Sequence, residues 1–265
     1  MTSTYIHDSG SDLGKGQLDH LSVLLDEHSR AFTGQVGPKE GDRCLDLGSG
    51  NGSMARWMAQ RSGLGGQVHA LDLDTTHLDV PSEVRVHRHD LTEGLGAEAL
   101  GGPFDLIHAR LLLLHLRNRR ELLAELTEAL APGGWLVLGE FTLLPFVPLE
   151  APSDADAELY QRILRTNFER IAIPAGQDYT WAGELEAAMA EEGLGGIETM
   201  EYRRTARGGS PVCRLLGIYL QQLTPPLRAM GTPPEEIERV HELLEDARLR
   251  VGFFPFVGVR GQKPA

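Results

Sequence analysis

Leu18, Leu21, Val23, Leu24 and Leu25 recur at helical spacing up to about Phe32, which predicts a helix ahead of the main core. After turns at Gly37-Pro38 and Gly41-Asp42, short apolar runs alternate with amphipathic stretches. Residues 43–47, 67–72, 84–89, 104–109 and 135–141 are bounded by Gly, Pro or Asp and read as strands. A helix from Ser53 places Met54, Trp57 and Met58 on one side and ends at Gly63. Another follows Asn118, which with Glu121 makes a capping box; Leu122, Leu123, Leu126 and Leu130 form its stripe and Pro132-Gly133 its stop. Strands alternating with helices imply an α/β fold with a mainly parallel sheet and right-handed crossovers.

Beyond Phe141 the alternation breaks. Residues 154–173 read as an extra helix with Ile163, Leu164, Phe168 and Ile171 inward, inserted over the carboxyl edge of the sheet. Helices over 181–192, 211–223 and 234–249 and strands over 197–205 and 254–260 complete the pattern. Residues 1–16, with Ser9-Gly10-Ser11 and Gly14-Lys15-Gly16, read as a mobile lead-in. The expected organisation is an N-terminal helical lid or cap segment, 1–40, and one domain, 41–265, with a helical insertion at about 142–180.

The run Cys44-Leu45-Asp46-Leu47-Gly48-Ser49-Gly50-Asn51-Gly52-Ser53 is a strand entering a glycine-rich turn that opens a helix. Such a turn lies at the carboxyl edge of an open α/β sheet, where ligands bind, and glycines let backbone approach them closely. The dinucleotide fingerprint needs Gly or Ala where Ser53 stands, and here Gly falls at 52 instead, so an NAD site is disfavoured. Asp46 followed by Gly48, Gly50 and Gly52 instead resembles the first motif of class I S-adenosylmethionine-dependent methyltransferases.

Further motifs resemble that family in order. Asp72, with Leu73 after it, looks like the acid that binds both ribose hydroxyls; Asp90-Leu91 resembles the pair that contacts adenine. Residues 104–110, including His108, are similar to the fourth motif, and residues 130–136 to the helix-turn-strand beyond it. The likeness runs from about Gly41 to Phe141 and is nearest to actinobacterial small-molecule methyltransferases. It implies a Rossmann-like, seven-stranded, mostly parallel sheet of order 3-2-1-4-5-7-6, helices on both faces, a helical cap and S-adenosyl-L-methionine as cofactor. The cofactor-binding residues it implies are Asp46, Gly48, Ser49, Gly50, Asn51, Asp72, Leu73, Asp90, Leu91 and His108.

With 25 Lys plus Arg against 38 Asp plus Glu, the net charge is -13, which repels nucleic acid and anionic membranes and favours a small-molecule substrate. A homodimer is the one protein partner left open. Cys44 and Cys213, the two cysteines, form no CxxC, so no disulfide framework or zinc-thiolate cluster is indicated and a cytoplasmic setting is expected. No apolar run resembles a signal peptide or is long enough to span a bilayer.

Methyl transfer is an in-line displacement in which the protein mainly positions the reactants. Where the acceptor must lose a proton, His115 is the candidate base, weighed against a packed histidine in a short helix. Arg110 is expected either to fix a substrate carboxylate or to form a structural ion pair. Glu140, ending a strand, is expected to orient the substrate or its nucleophile, weighed against a cap for the next element. Asp74 reads as a solvated turn acid. His87 and His89 stand beside Asp90, but with Val84 and Val86 facing inward they read as a polar edge face, so no metal is expected. Tyr5, Tyr160, Asn167, Tyr179 and Trp181 fall in the lead-in and insertion, where they line a pocket or pack the cap. The expected function is methyl transfer to a small organic acceptor in specialised metabolism. The alternative is a cofactor-binding relative of the same fold that catalyses another reaction, such as a cyclisation.

Overall fold

A computed structural model describes residues 10–96 and 100–265 of the chain. Tyr5 and the first part of the expected lead-in lie outside the described residues. The elements are α1 (Asp12–Thr33), β1 (Arg43–Leu47), α2 (Ser53–Ser62), β2 (Gln67–Asp72), β3 (Arg85–Arg88), β4 (Phe104–Arg110), α3 (Arg119–Ala129) and β5 (Leu130–Phe141). They continue with α4 (Asp154–Arg165), a π-helical segment (Thr166–Ala172), α5 (Trp181–Glu191), β6 (Gly195–Tyr202) and β7 (Thr205–Arg207). Then come α6 (Pro211–Gln222), α7 (Thr224–Ala229), α8 (Pro234–Glu245), β8 (Arg250–Gly252) and β9 (Phe256–Gln262). Among the described residues no helix is long and apolar enough to cross a membrane.

Two compact units divide the chain. One holds residues 25–142, 179–202 and 256–265; the other holds the described part of 1–24 with 143–178 and 203–255. In the first, seven strands run in the order β3-β2-β1-β4-β5-β9-β6, with β9 antiparallel to both neighbours. This is the expected 3-2-1-4-5-7-6 order, because β7 and β8 pair separately and β9 is the seventh strand of the large sheet. Alternation along the strands sends Leu45, Leu47, Leu71, Ile107, Leu136 and Leu138 to a face packed with Leu122 and Leu126 of α3 and Trp181 and Leu185 of α5. Cys44, Ala70, Leu106 and Val137 go to the opposite face, with Met54 and Met58 of α2 and Phe32 of α1.

Several local expectations are corrected. Asn118 makes no side-chain cap for α3; its Nδ2 donates instead to Leu91 O at 2.9 Å, a tertiary bond that outcompetes the local one. Pro132-Gly133 does not separate helix from strand, since β5 already begins at Leu130. On the edge strand Val86 is exposed, while His87 meets the buried His69, Nε2 to Nδ1 at 3.0 Å, with the rings stacked. Val84 is buried as expected, and His87 shares a face with Leu71, its register partner. Gly14 and Gly16 lie inside α1 rather than in a mobile segment: Ser11 Oγ accepts Gly14 N–H at 3.1 Å, and Gly16 backs onto Ile218.

In the second unit, Ser153 caps α4 by accepting the N–H of Asp156, and Arg162 pairs bidentately with Glu236 of α8 at 2.9 and 2.8 Å. Ile163, Leu164 and Phe168 are buried as the pattern predicts, and Tyr160 is buried beside them. Ile171 is not, because the π turn shifts the register by one position and Ala172 takes the inward place. Phe168 stacks on Phe146, with centroids 5.0 Å apart, and meets Phe254 edge-on. Asn167 is buried, and neither of its amide atoms has a hydrogen-bond partner.

Candidate active site

The turn between β1 and α2 has Gly48, Gly50 and Gly52 at φ 62°, 55° and 78°, backbone that L side chains rarely adopt. Gly52 is further constrained by space: a Cβ there would lie 2.6 Å from Val80 Cγ1 and 3.0 Å from Asp79 O. The N–H groups of Gly48 and Ser49 donate to Leu71 O at 2.8 and 3.2 Å, and Ser49 Oγ donates back to Asp46 O at 2.8 Å. Asn51 Oδ1 accepts the N–H of Ser53 at 3.2 Å, at the entry to α2. The turn is therefore a rigid backbone loop resting on the end of β2.

Asp72, which ends β2, ties into the same loop. Its Oδ2 accepts Gly50 N–H at 2.8 Å and its Oδ1 accepts Asp74 N–H at 3.1 Å. Burial pushes the Asp72 carboxyl up, and those backbone donors hold it down. A carboxylate has about four lone-pair sites, so each oxygen keeps one for a hydroxyl of a bound diol. His89 N–H donates to Asp72 O at 3.0 Å, which brings the end of β3 alongside. There Asp90 Oδ1 accepts from Thr92 N and Oγ1 at 3.0 and 2.7 Å, capping the short helix that begins with the buried Leu91. Leu73 is partly exposed, and the Asp74 carboxyl is held low by Thr76, as suits a solvated turn acid.

Asp46 and His108 face each other across the β1–β4 register, and Asp46 Oδ1 and His108 Nδ1 are 2.8 Å apart with both residues buried. Asp46 Oδ2 is buried without a hydrogen-bond partner, an acceptor suited to a ligand bearing positive charge. Of the two expectations for Arg110, the structure shows the ion pair: Nη2 reaches Asp26 Oδ1 at 2.9 Å and Nη1 reaches Ser29 Oγ at 3.1 Å. Asp26 also accepts Ser53 Oγ–H at 2.9 Å and pairs with Arg30 at 2.9 Å, so α1 is bound to the start of α2 as well as to the end of β4. Sequence reasoning missed Asp26, Ser29 and Arg30, since nothing local marks them.

Past Arg110, Leu111 has φ 53°, and its N–H donates to Gly139 O at 2.7 Å. Leu112 packs on Gly48, where a Cβ would lie 3.3 Å from Leu112 Cδ1. His115 closes the following 3-10 turn (Leu113–His115) and is half-buried. Of the two expectations for Glu140, the structure shows the cap: Oε1 accepts the N–H groups of Leu113 and Leu114 at 2.7 and 3.3 Å. Desolvation pushes its carboxyl up to about 8, against the pull of those donors and of Arg119. His89 Nε2 lies 2.7 Å from Gly94 O, and among the described residues no group of three His, Cys, Asp or Glu could hold a metal ion.

These residues fit an adenosyl cofactor: glycine backbone that permits close approach, an acid beneath it with acceptor sites to spare for a diol, and an orphaned carboxylate oxygen suited to a cationic group. The family model for a methyltransferase domain matches residues 19–195. The 27-O-demethylrifamycin SV methyltransferase of Amycolatopsis mediterranei is 28% identical over 195 residues, 69% of this chain and 70% of that protein. The ubiquinone/menaquinone biosynthesis C-methyltransferase UbiE of Bordetella avium is 32% identical over 136 residues, 47% of this chain and 51% of its own length. Phosphoethanolamine N-methyltransferase 2 of Haemonchus contortus, solved with phosphomonomethylethanolamine and S-adenosylhomocysteine, superposes with a TM-score of 0.54 at 17% identity, covering 94% of this chain and 57% of that one. The family match, the sheet order and the glycine turn with its acid place this chain among the class I S-adenosylmethionine-dependent methyltransferases.

Proposed function

We propose that this enzyme methylates a hydroxyl of a small organic acceptor in specialised metabolism. The observation that carries cofactor placement is the Asp72–Gly50 bond, which fixes the diol-binding acid against the glycine turn. For the acceptor, support comes from the relative whose name gives it a demethylrifamycin, matched over 70% of its length, and from the net charge of -13, which disfavours nucleic acid.

The cofactor supplies a methyl group already activated on a sulfonium. Asp72 holds the ribose, the end of β3 at Asp90 and Leu91 holds the adenine, and the glycine turn brings backbone close to the remainder. Asp46, oriented by His108, offers its unpartnered oxygen to positive charge. In this reading His115 is the base that takes the hydroxyl proton, and Arg110 and Glu140 support the site rather than react.

Calorimetric titration with S-adenosylmethionine and S-adenosylhomocysteine, followed by mass spectrometry of reactions with a panel of hydroxylated polyketides and phenols, tests this reading. Micromolar binding of both adenosyl ligands and a product heavier by one methylene, with S-adenosylhomocysteine released, is expected. Turnover of an acceptor without S-adenosylhomocysteine release favours the cyclisation alternative. No binding of either adenosyl ligand sinks the site assignment. Asp72→Ala removes the ribose acceptor and is expected to weaken binding by roughly 1–3 kcal/mol.

A further inference from the structure

Glu140 is a carboxylic acid among buried apolar neighbours, with Leu138 at 0% and Phe141 at 4% exposure on the same strand and Glu140 itself at 1%. Removing such a group from water is unfavourable, and a hydrocarbon would serve the core better, so its bonds show what it does there. Both hydrogen bonds of Oε1 go to the first N–H groups of the 3-10 turn after β4, donors that have no partner within that turn.

The segment so held does not sit easily by itself. Leu111 adopts φ 53°, a left-handed conformation unfavourable for a residue with a Cβ. Two successive residues of β5 restrain it from outside: Gly139 O takes the N–H of Leu111, and Glu140 takes those of Leu113 and Leu114. Leu112, between these restraints, rests on the α-carbon of Gly48 in the cofactor turn. The other side of β5 offers no slack, since a Cβ on Gly139 would lie 2.4 Å from Phe256 Cζ.

We propose that Glu140 is a positioning residue for the cofactor: acting through the turn at 111–114, it sets where Leu112 stands over Gly48 and so tunes affinity for the adenosyl ligand. The inference rests on the cofactor assignment. It assigns Glu140 no contact with cofactor or acceptor. What the turn needs is an acceptor oxygen at Oε1, which a glutamine also provides and a leucine does not.

The test is calorimetric titration of S-adenosylhomocysteine into the full chain and its Glu140→Gln, Glu140→Leu and Leu112→Ala variants, each with its melting temperature. Expected are affinity within about threefold of wild type for Glu140→Gln, and losses of about tenfold or more for Glu140→Leu and severalfold for Leu112→Ala. The Glu140→Leu, Leu112→Ala double variant is expected to bind no more weakly than the worse single variant, because both act through one contact. Wild-type affinity in folded Glu140→Leu, equal losses in the Gln and Leu variants, or additive losses in the double variant each overturn the proposal. Should Glu140→Leu fail to fold, unchanged affinity in Leu112→Ala overturns it as well. A wild-type chain that does not bind S-adenosylhomocysteine refutes the cofactor assignment itself, and this proposal with it.

Discussion

Asp26 of α1 and Arg110 at the end of β4, 84 positions apart, meet at 2.9 Å, and the oxygen that joins them also accepts the hydroxyl of Ser53 at the start of α2. One carboxylate thus secures a helix both to α2, which follows the glycine turn, and to β4, which lies beside β1 in the sheet. The Arg110 and Asp26 side chains are 12% and 16% exposed, so each charge relies on protein partners rather than water.

Asp26→Ala leaves the guanidinium largely buried and unpaired. Truncating one partner of a fully buried pair costs about 3–5 kcal/mol, and residual exposure lowers the expected loss to about 2–3 kcal/mol in urea unfolding. Replacing both partners, Asp26→Leu with Arg110→Met, is expected to recover most of it. A single variant as stable as wild type would show that the pair contributes nothing to holding α1.

Gly52→Ala combines positive φ with a contact of 2.6 Å to Val80 Cγ1. A loss of roughly 1–3 kcal/mol is expected, with weaker S-adenosylhomocysteine binding as the turn shifts. Thermal unfolding and calorimetry read the two effects separately. A melting temperature equal to wild type would mean that the Asp79–Val80 segment yields freely.

Glu140 gives a pH signature. Its folded carboxyl titrates at about 8, above the 4.5 of an unperturbed glutamate, so between those values the folded state keeps a proton that the unfolded chain has lost. Its stability contribution is complete below about pH 4.5 and falls as pH rises towards about 8. Melting temperatures of wild type and Glu140→Gln across this window are expected to move in favour of glutamine as pH rises. A difference that does not change with pH would show that the carboxyl titrates normally.

His69 works in the opposite sense. Burial and the nearby Arg43 lower it from 6.5 to about 4, so the unfolded chain takes up a proton first as pH falls through that interval. Stability should drop as pH falls from about 6.5 to about 4, and this acid sensitivity should be smaller in His69→Leu. Equal acid slopes in both proteins would count against a buried neutral His69.

The strands and the glycine turn were legible because their determinants are local: alternation, bounding Gly and Asp, and one residue pattern leading from β1 into α2. The partners of that turn were not. Asp26 shows no more in sequence than any acid on a helix, and its meeting with Arg110 exists only once α1 has packed. Asn118 carried a capping signal that a bond to Leu91 O overrode. Ile171 matched the helical period but lost its inward place to one π turn, a single-residue shift without a local signature. Residues 203–255 group with 143–178 rather than with the strands around them, a partition that element-by-element pattern reading does not reveal.

The place of β9 bears on how the chain can be made. It comes after β6 in sequence yet lies between β5 and β6 in the sheet. During synthesis, β5 and β6 are both made before the strand that lies between them, and until it arrives each offers bare N–H and C=O groups to any other strand. Seven residues, Phe256–Gln262, close both edges at once. Until they emerge, the nascent chain is most exposed to mispairing and most in need of chaperone cover.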